Sequence, residues 1–114
     1  MLLSYYSLSG KAESFVKETG MHAVRIGPAL RMQQPYVLIT STEETGSFPE
    51  EVSDFLIHNH NLMVGCSIIG QHNREELHEL SLAVPYISSD SVEKFIKEVN
   101  QIERNTVESY KAQQ

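Results

Sequence analysis

Apolar and polar residues alternate along this chain with two different rhythms. The first apolar run, residues 2–6, is short and partly aromatic, as a strand requires. Ser7-Leu8-Ser9-Gly10 reads as a turn. Behind it, Ala12, Phe15, Val16 and Thr19 fall at i, i+3, i+4 and i+7, one face of a helix that Gly20 ends. Residues 23–26 read as a second short strand, broken by Gly27 and Pro28. Gln33, Gln34 and Pro35 lead into Tyr36-Val37-Leu38-Ile39-Thr40. That run is continuously apolar and β-branched rather than alternating. Strands covered by helices on both faces have this pattern, and such strands are usually parallel.

The second half repeats the alternation. Residues 41–48 form a polar loop containing Gly46. Ser47 and Glu50 have capping-box spacing, with Pro49 in the first turn of the helix they open. Val52, Phe55, Leu56 and Asn59 mark its face, and Asn59-His60-Asn61 closes it. Residues 62–69 read as another buried strand, with Gly70-Gln71-His72-Asn73 as the loop at its end. Asn73 and Glu76 cap a short helix from 74 to about 82, with Leu77 and Leu80 on its apolar side. Val84-Pro85-Tyr86-Ile87 is a weak strand whose proline suits an edge. Asp90 and Glu93 are placed to cap a last helix with the stripe Val92, Phe95, Ile96, Val99 and Ile102. After Glu103 the pattern fades, and a frayed polar tail is expected. The order is β-α-β-β-α-β-α-β-α, with the helix after the second strand missing or reduced to a loop. Such alternation predicts a parallel sheet with helices on both faces.

Length and charge narrow the function classes. A chain of 114 residues is expected to form a single domain with its own core. Its net charge is −6, and no basic stripe appears, which argues against nucleic acid as a partner. Cys66 stands alone inside an apolar run, so it reads as a buried reduced thiol. No apolar run approaches the roughly 18 residues of a membrane span, and no secretory signal is recognisable. A cytoplasmic protein with no membrane partner is the expectation.

In an open parallel sheet, ligands bind at the carboxyl ends of the strands, where strand order reverses. Three loops are placed there: Ser7-Leu8-Ser9-Gly10-Lys11-Ala12, Ser41-Thr42-Glu43-Glu44-Thr45-Gly46, and Gly70-Gln71-His72-Asn73. The first suits a phosphate. Ser7 and Ser9 offer hydroxyls, Gly10 permits a close turn, and the following helix aims its free N–H groups at the same place. Lys11 adds charge. An ordinary serine-capped turn is the alternative, and neither the Walker nor the Rossmann glycine pattern is present. In the second loop Glu43 and Glu44 are acid–base candidates or solvated loop residues. Gly46 gives its peptide freedom to adopt two orientations. His58 and His60 are two apart and diverge on a helix, so no metal site is expected. His22 and His78 read as surface residues.

With these loops placed, the chain resembles the NrdI family, the small flavodoxin-like proteins that accompany class Ib ribonucleotide reductase. Ser7-x-Ser9-Gly10 stands where that family keeps S-x-T-G, followed by Phe15-Val16-x-x-Thr19-Gly20. Residues 35–40 look like its third strand, Gly46-x-x-Pro49 like its next loop, and Val64-Gly65 with Gly70 like the strand and turn beyond. The resemblance implies a flavodoxin-like three-layer sandwich with about five parallel strands in the order 2-1-3-4-5. It also implies FMN, with its phosphate in loop 7–12 and its ring between residues 41–46 and 70–73. The implied role is to supply superoxide, from reduced flavin and dioxygen, to the dimanganese site of the reductase small subunit. A flavin-reducing partner follows from that role. The aromatic residues that the family places in the second and third loops are replaced here, by Thr45 and by the run Gly70 to Asn73. A flavin-free interaction module and a general flavodoxin-type electron carrier are the alternatives.

Overall fold

The computed structural model describes residues 1–7, 10–41, 49–69 and 84–112, with side chains through residue 105. Its elements are β1 (Leu2–Tyr5), α1 (Lys11–Thr19), β2 (Ala23–Arg25), β3 (Tyr36–Ser41), α2 (Glu50–Asn59), β4 (Met63–Ile69) and α3 (Val92–Ala112). A single 3-10 turn, His60–Leu62, joins α2 to β4. The sheet is parallel in the order β2-β1-β3-β4.

The continuous apolar runs are explained by two separate cores, one on each face of this sheet. Along β3, Tyr36 and Leu38 pack with Val52 and Phe55 of α2. Val37 and Ile39 pack on the other face with Ala12 and Val16 of α1 and Phe95 and Val99 of α3. Every residue from Tyr36 to Ile39 is fully buried, because each side of the pleat has a helix above it. The result is the expected three-layer α/β sandwich. Two edge-to-face ring pairs add to the packing: Phe15 on Phe95 at 5.1 Å joins α1 to α3 within one layer, and Tyr36 on Phe55 at 5.6 Å joins β3 to α2.

β4 departs from strict alternation. Tyr36 pairs with Met63 but Val37 with Gly65, so Val64 is an extra residue in the ladder. The bulge lets Met63 and Cys66 face α2 together, although they are an odd number of residues apart. It also turns Val64 and Gly65 toward the α3 side, where a Cβ on Gly65 would come within 2.8 Å of Ile87.

One expectation about strands is modified. Among the described residues the sheet has four strands rather than five. The fifth is reduced to one parallel bridge, Tyr86 with Cys66, beyond β4. Cys66 donates to the Pro85 carbonyl at 3.1 Å, and Ile87 donates back to Cys66 at 2.8 Å. The next acceptor along β4, the Ile68 carbonyl, takes the hydroxyls of Ser89 at 3.3 Å and Tyr86 at 3.4 Å. Side-chain donors thus replace the backbone donor that would have continued the ladder. The segment between β2 and β3 contains no helix, as the sequence pattern anticipates.

The helix ends also differ in detail. Pro49 occupies the N-cap of α2, just outside the first turn, and Ser47 lies outside the described residues. The last helix is capped by Ser91 rather than Asp90. The Ser91 carbonyl accepts the Phe95 N–H at 2.9 Å, and its hydroxyl accepts the Lys94 N–H at 3.4 Å. Asp90 instead donates its N–H to the Ser88 hydroxyl. α3 does not end where its apolar stripe ends, since its backbone stays helical through Ala112. Loss of a buried face removes the packing that holds a helix but does not break its backbone, and no proline or glycine interrupts residues 103–112. The helix expected at 74–82 lies outside the described residues. Among the described residues no helix is long and apolar enough to cross a membrane.

Candidate functional site

The sheet order fixes where a ligand can sit. β1 connects through α1 to β2 on one side, while β3 pairs on the other side of β1. The strand order therefore reverses between β1 and β3, and their carboxyl ends flank the crevice typical of ligand sites in such sheets. Registry brings these ends level. Tyr5 lies beside Ile39, and Ser41 beside Ile69.

The described part of the first loop ends at an open helix start. Gly10 takes a left-handed conformation, φ 83° and ψ −6°, at the N-cap of α1. A side chain there would meet no atom within 4 Å, so the backbone angle and not crowding is what calls for glycine. Glycine brings no capping side chain. The first helical bond runs from the Ser14 N–H to the Gly10 carbonyl at 3.0 Å. The N–H groups of Lys11, Ala12 and Glu13 come before it and have no acceptor within the helix. Their dipoles and the helix macrodipole favour negative charge at this end.

Charges nearby reinforce that bias. The acidic residue of the first turn, Glu13, lies 3.8 Å from Lys17 on the surface. Lys11 is exposed beside Gly10. Among the described residues, the buried hydroxyls of Ser7, just past the end of β1, and Ser41, at the end of β3, have no hydrogen-bond partner, as is also true of Ser4 and Ser67 within the strands. A buried hydroxyl left unpaired costs about 1–3 kcal/mol, and Ser7 and Ser41 differ from Ser4 and Ser67 in lying at the carboxyl ends of their strands.

From this helix start a groove of about 440 Å³ runs down one stripe of α1. Lys11, Ser14, Phe15 and Glu18 line that stripe, and Ile69 and Ser89 face it. Ser14, Glu18, Ile69 and Ser89 are not among the residues that the loop chemistry of the sequence points to. Lys11, Ser14 and Glu18 share the i, i+3, i+7 spacing that marks a helix face, and that signal was available. Nothing in sequence links Ser89 to them.

Of the candidate residues, Ser7, Gly10, Lys11, Ala12 and Ser41 are thus brought to one end of the sheet. Ala12 contributes its backbone alone, because its side chain is fully buried beneath α1. Leu8, Ser9, Thr42, Glu43, Glu44, Thr45, Gly46, Gly70, Gln71, His72 and Asn73 lie outside the described residues. Cys66 is buried far down β4 in the α2-side core, as its apolar neighbours imply. Burial pushes its thiol pKa up to about 12.

A parallel sheet of this order, with an uncapped helix behind its first strand, defines a flavodoxin-like α/β protein. A family model described as "NrdI Flavodoxin like" matches residues 3–90, and the chain belongs to that family. It is similar to Protein NrdI of Macrococcus caseolyticus strain JCSC5402, with 34% identity over 65 residues. That alignment covers 55% of this chain and 50% of the relative, so it spans half of the relative's length.

Proposed function

We propose that the chain is an FMN-binding redox protein that serves a class Ib ribonucleotide reductase. The observation that carries this reading is the Ser7 hydroxyl, without a partner among the described residues, next to a start of α1 whose N-cap Gly10 makes no side-chain cap. A terminal phosphate needs several convergent donors, and this end of the sheet offers them: the Ser7 hydroxyl, the N–H groups of Lys11 and Ala12, and the Lys11 ammonium. The residues present therefore fit the phosphate of FMN. Leu8 and Ser9 complete the same loop in sequence. The Ser41 hydroxyl is available toward the ribityl chain or the ring, with Thr42, Glu43, Glu44, Thr45, Gly46 and residues 70–73 following in the ring-side loops.

When bound and reduced, the flavin supplies electrons to dioxygen to give superoxide, the oxidant for assembling the dimanganese–tyrosyl radical cofactor of the reductase small subunit. The chain's own part is to bind, orient and bias that group. Gly10 sets the approach of the backbone to the phosphate. Carboxylates such as Glu43 and Glu44 would disfavour an anionic reduced ring by their field. The partners in this reading are the reductase small subunit and a flavin-reducing protein, in the cytoplasm, and residues 1–114 act as one domain.

The test is an absorption spectrum of protein purified without added flavin, followed by titration with FMN. A yellow protein that binds one FMN per chain is expected. A colourless protein that ignores FMN but still captures the reductase small subunit would replace this reading with a flavin-free interaction module. Transfer of electrons from the reduced protein to a second flavoprotein in preference to dioxygen would favour a general electron carrier.

A further inference from the structure

α2 buries one side and leaves the other bare. Val52, Phe55 and Asn59 face the sheet, while Glu50, Glu51, Asp54 and Ile57 are exposed. Ile57 is 66% exposed, and among the described residues it is the only large apolar side chain so placed. We propose that this face of α2 docks a cationic protein surface, with Ile57 against an apolar spot of the partner and Lys or Arg side chains of the partner ringing it.

The pattern along the helix sets the two chemistries side by side. Glu50, Asp54 and Ile57 fall at i, i+4 and i+7, one row along the outer face. Leu56, half-buried, widens the apolar end of that row. The carboxylates are not neutralised from within the chain. No Lys or Arg occurs between Arg31 and Arg74, a stretch that carries Glu43, Glu44, Glu50, Glu51 and Asp54. The ion pairs found among the described residues lie elsewhere, Lys17 with Glu13 and the Met1 amine with Glu103. α1 and α3 interleave acids with lysines, and of the three described helices α2 alone has no Lys or Arg.

This charge selects the occupant. A second copy meeting the face through its own α2 would set Glu50 and Asp54 against like charges. Nucleic acid and anionic lipid carry the same sign as the face and are repelled. A cationic protein surface gains from the field of the carboxylates and from covering Ile57. The charges steer the encounter, and the apolar contact slows dissociation. An apolar centre with a charged rim is the usual anatomy of such interfaces.

The face also borders the candidate site. His60–Leu62 leads directly into β4, so α2 runs back toward the amino ends of the strands. Its acidic first turn, Glu50 and Glu51, therefore stands at the carboxyl end of the sheet. Nothing in this face depends on a bound flavin.

The test is an NMR titration of the isotope-labelled full chain with a synthetic helical peptide that carries several lysines around a central leucine. Amide signals of residues 50–58 should shift. Ile57→Ala should weaken binding about fivefold, and so should serine in place of the peptide's leucine. The two changes together should cost little more than either alone, because both remove one contact. Asp54→Asn should weaken binding about threefold at about 20 mM salt and by less at about 300 mM. Ile57 and Asp54 are exposed, so both variants should fold as the parent does. Shifts centred away from α2, no binding, or an affinity that ignores Ile57→Ala would overturn the proposal. A two-copy species of the free chain, seen by sedimentation and abolished by Ile57→Ala, would also overturn it and assign the face to self-association.

Discussion

The side-chain oxygen of Asn59 accepts the backbone N–H of Met32 at 2.7 Å, across 27 positions of sequence. The same carboxamide donates to the Leu30 carbonyl at 3.1 Å and to the Phe55 carbonyl at 2.9 Å, and the Asn59 carbonyl accepts the Tyr36 hydroxyl at 2.8 Å. One buried residue at the end of α2 therefore supplies the hydrogen bonds that a helix between β2 and β3 would have made internally. Backbone buried under a loop must find partners somewhere, and here a side chain provides them. Asn59→Leu keeps the volume but leaves the Met32 N–H and the Leu30 carbonyl unsatisfied. Urea unfolding should show a loss of about 3 kcal/mol. A loss below about 1 kcal/mol would mean that the loop repacks freely and that Asn59 does not hold it.

Gly65 is set against α3 and Ile87, the residue after the isolated bridge. A methyl group there would sit 2.8 Å from the end of Ile87 and 3.4 Å from that of Ile102. Gly65→Ala should therefore cost roughly 1–3 kcal/mol through overpacking. Ile87→Val removes the nearest carbon, and the double variant should recover part of the loss. A double-mutant cycle by thermal denaturation measures this coupling, and additive effects would show that the two residues do not compete for the space.

The parallel sandwich was readable because both faces of β3 are covered, and a strand of this kind has to be apolar throughout. The Asn59 clamp was not readable in that way. Helical spacing placed Asn59 on the buried face, but its partners at 30 and 32 are in a loop, where no period announces them. The bulge at Val64 was hidden for a related reason, since in a continuous apolar run an extra residue changes no pattern. The apolar stripe does not give the length of α3, because it reports burial, whereas the backbone stays helical as long as nothing breaks it. At the candidate site, what the sequence shows of the loop after β1 is its serines, glycine and lysine, and the structure adds the left-handed Gly10 at the start of α1. The groove beside it was not legible, because Ile69 and Ser89 reach it from other parts of the chain.

Gly10 separates backbone strain from contact at the start of α1. Its φ of 83° lies in the left-handed region, and the space around its Cβ position is empty. Gly10→Ala should fold with a loss of about 1–2 kcal/mol, and Gly10→Asn with less, because asparagine enters this region more readily. Inorganic phosphate or FMN titrated into both variants should follow the same order of affinity as stability. Equal stability for all three chains would show that the loop relaxes out of the left-handed conformation.

Cys66 sets an alkaline limit on stability. Burial raises its thiol pKa from 9.0 to about 12 in the folded protein. Between those values the unfolded chain has lost the proton and the folded chain keeps it, so the folded state binds more protons. Stability is then fully present below pH 9.0 and falls as pH rises toward about 12, with a slope near 1.4 kcal/mol per pH unit from this one group. Burial also raises the pKa of the neighbouring Tyr36 hydroxyl, which adds to the same decline at higher pH. Urea unfolding at pH 8 and pH 10.5 should show a smaller drop for Cys66→Ala than for the parent chain, with Tyr36→Phe as the control for the phenol. In the folded protein at pH 8 the thiol should resist iodoacetamide and become labelled only as urea unfolds the chain. Rapid labelling of the native protein would show that this region of β4 opens to solvent.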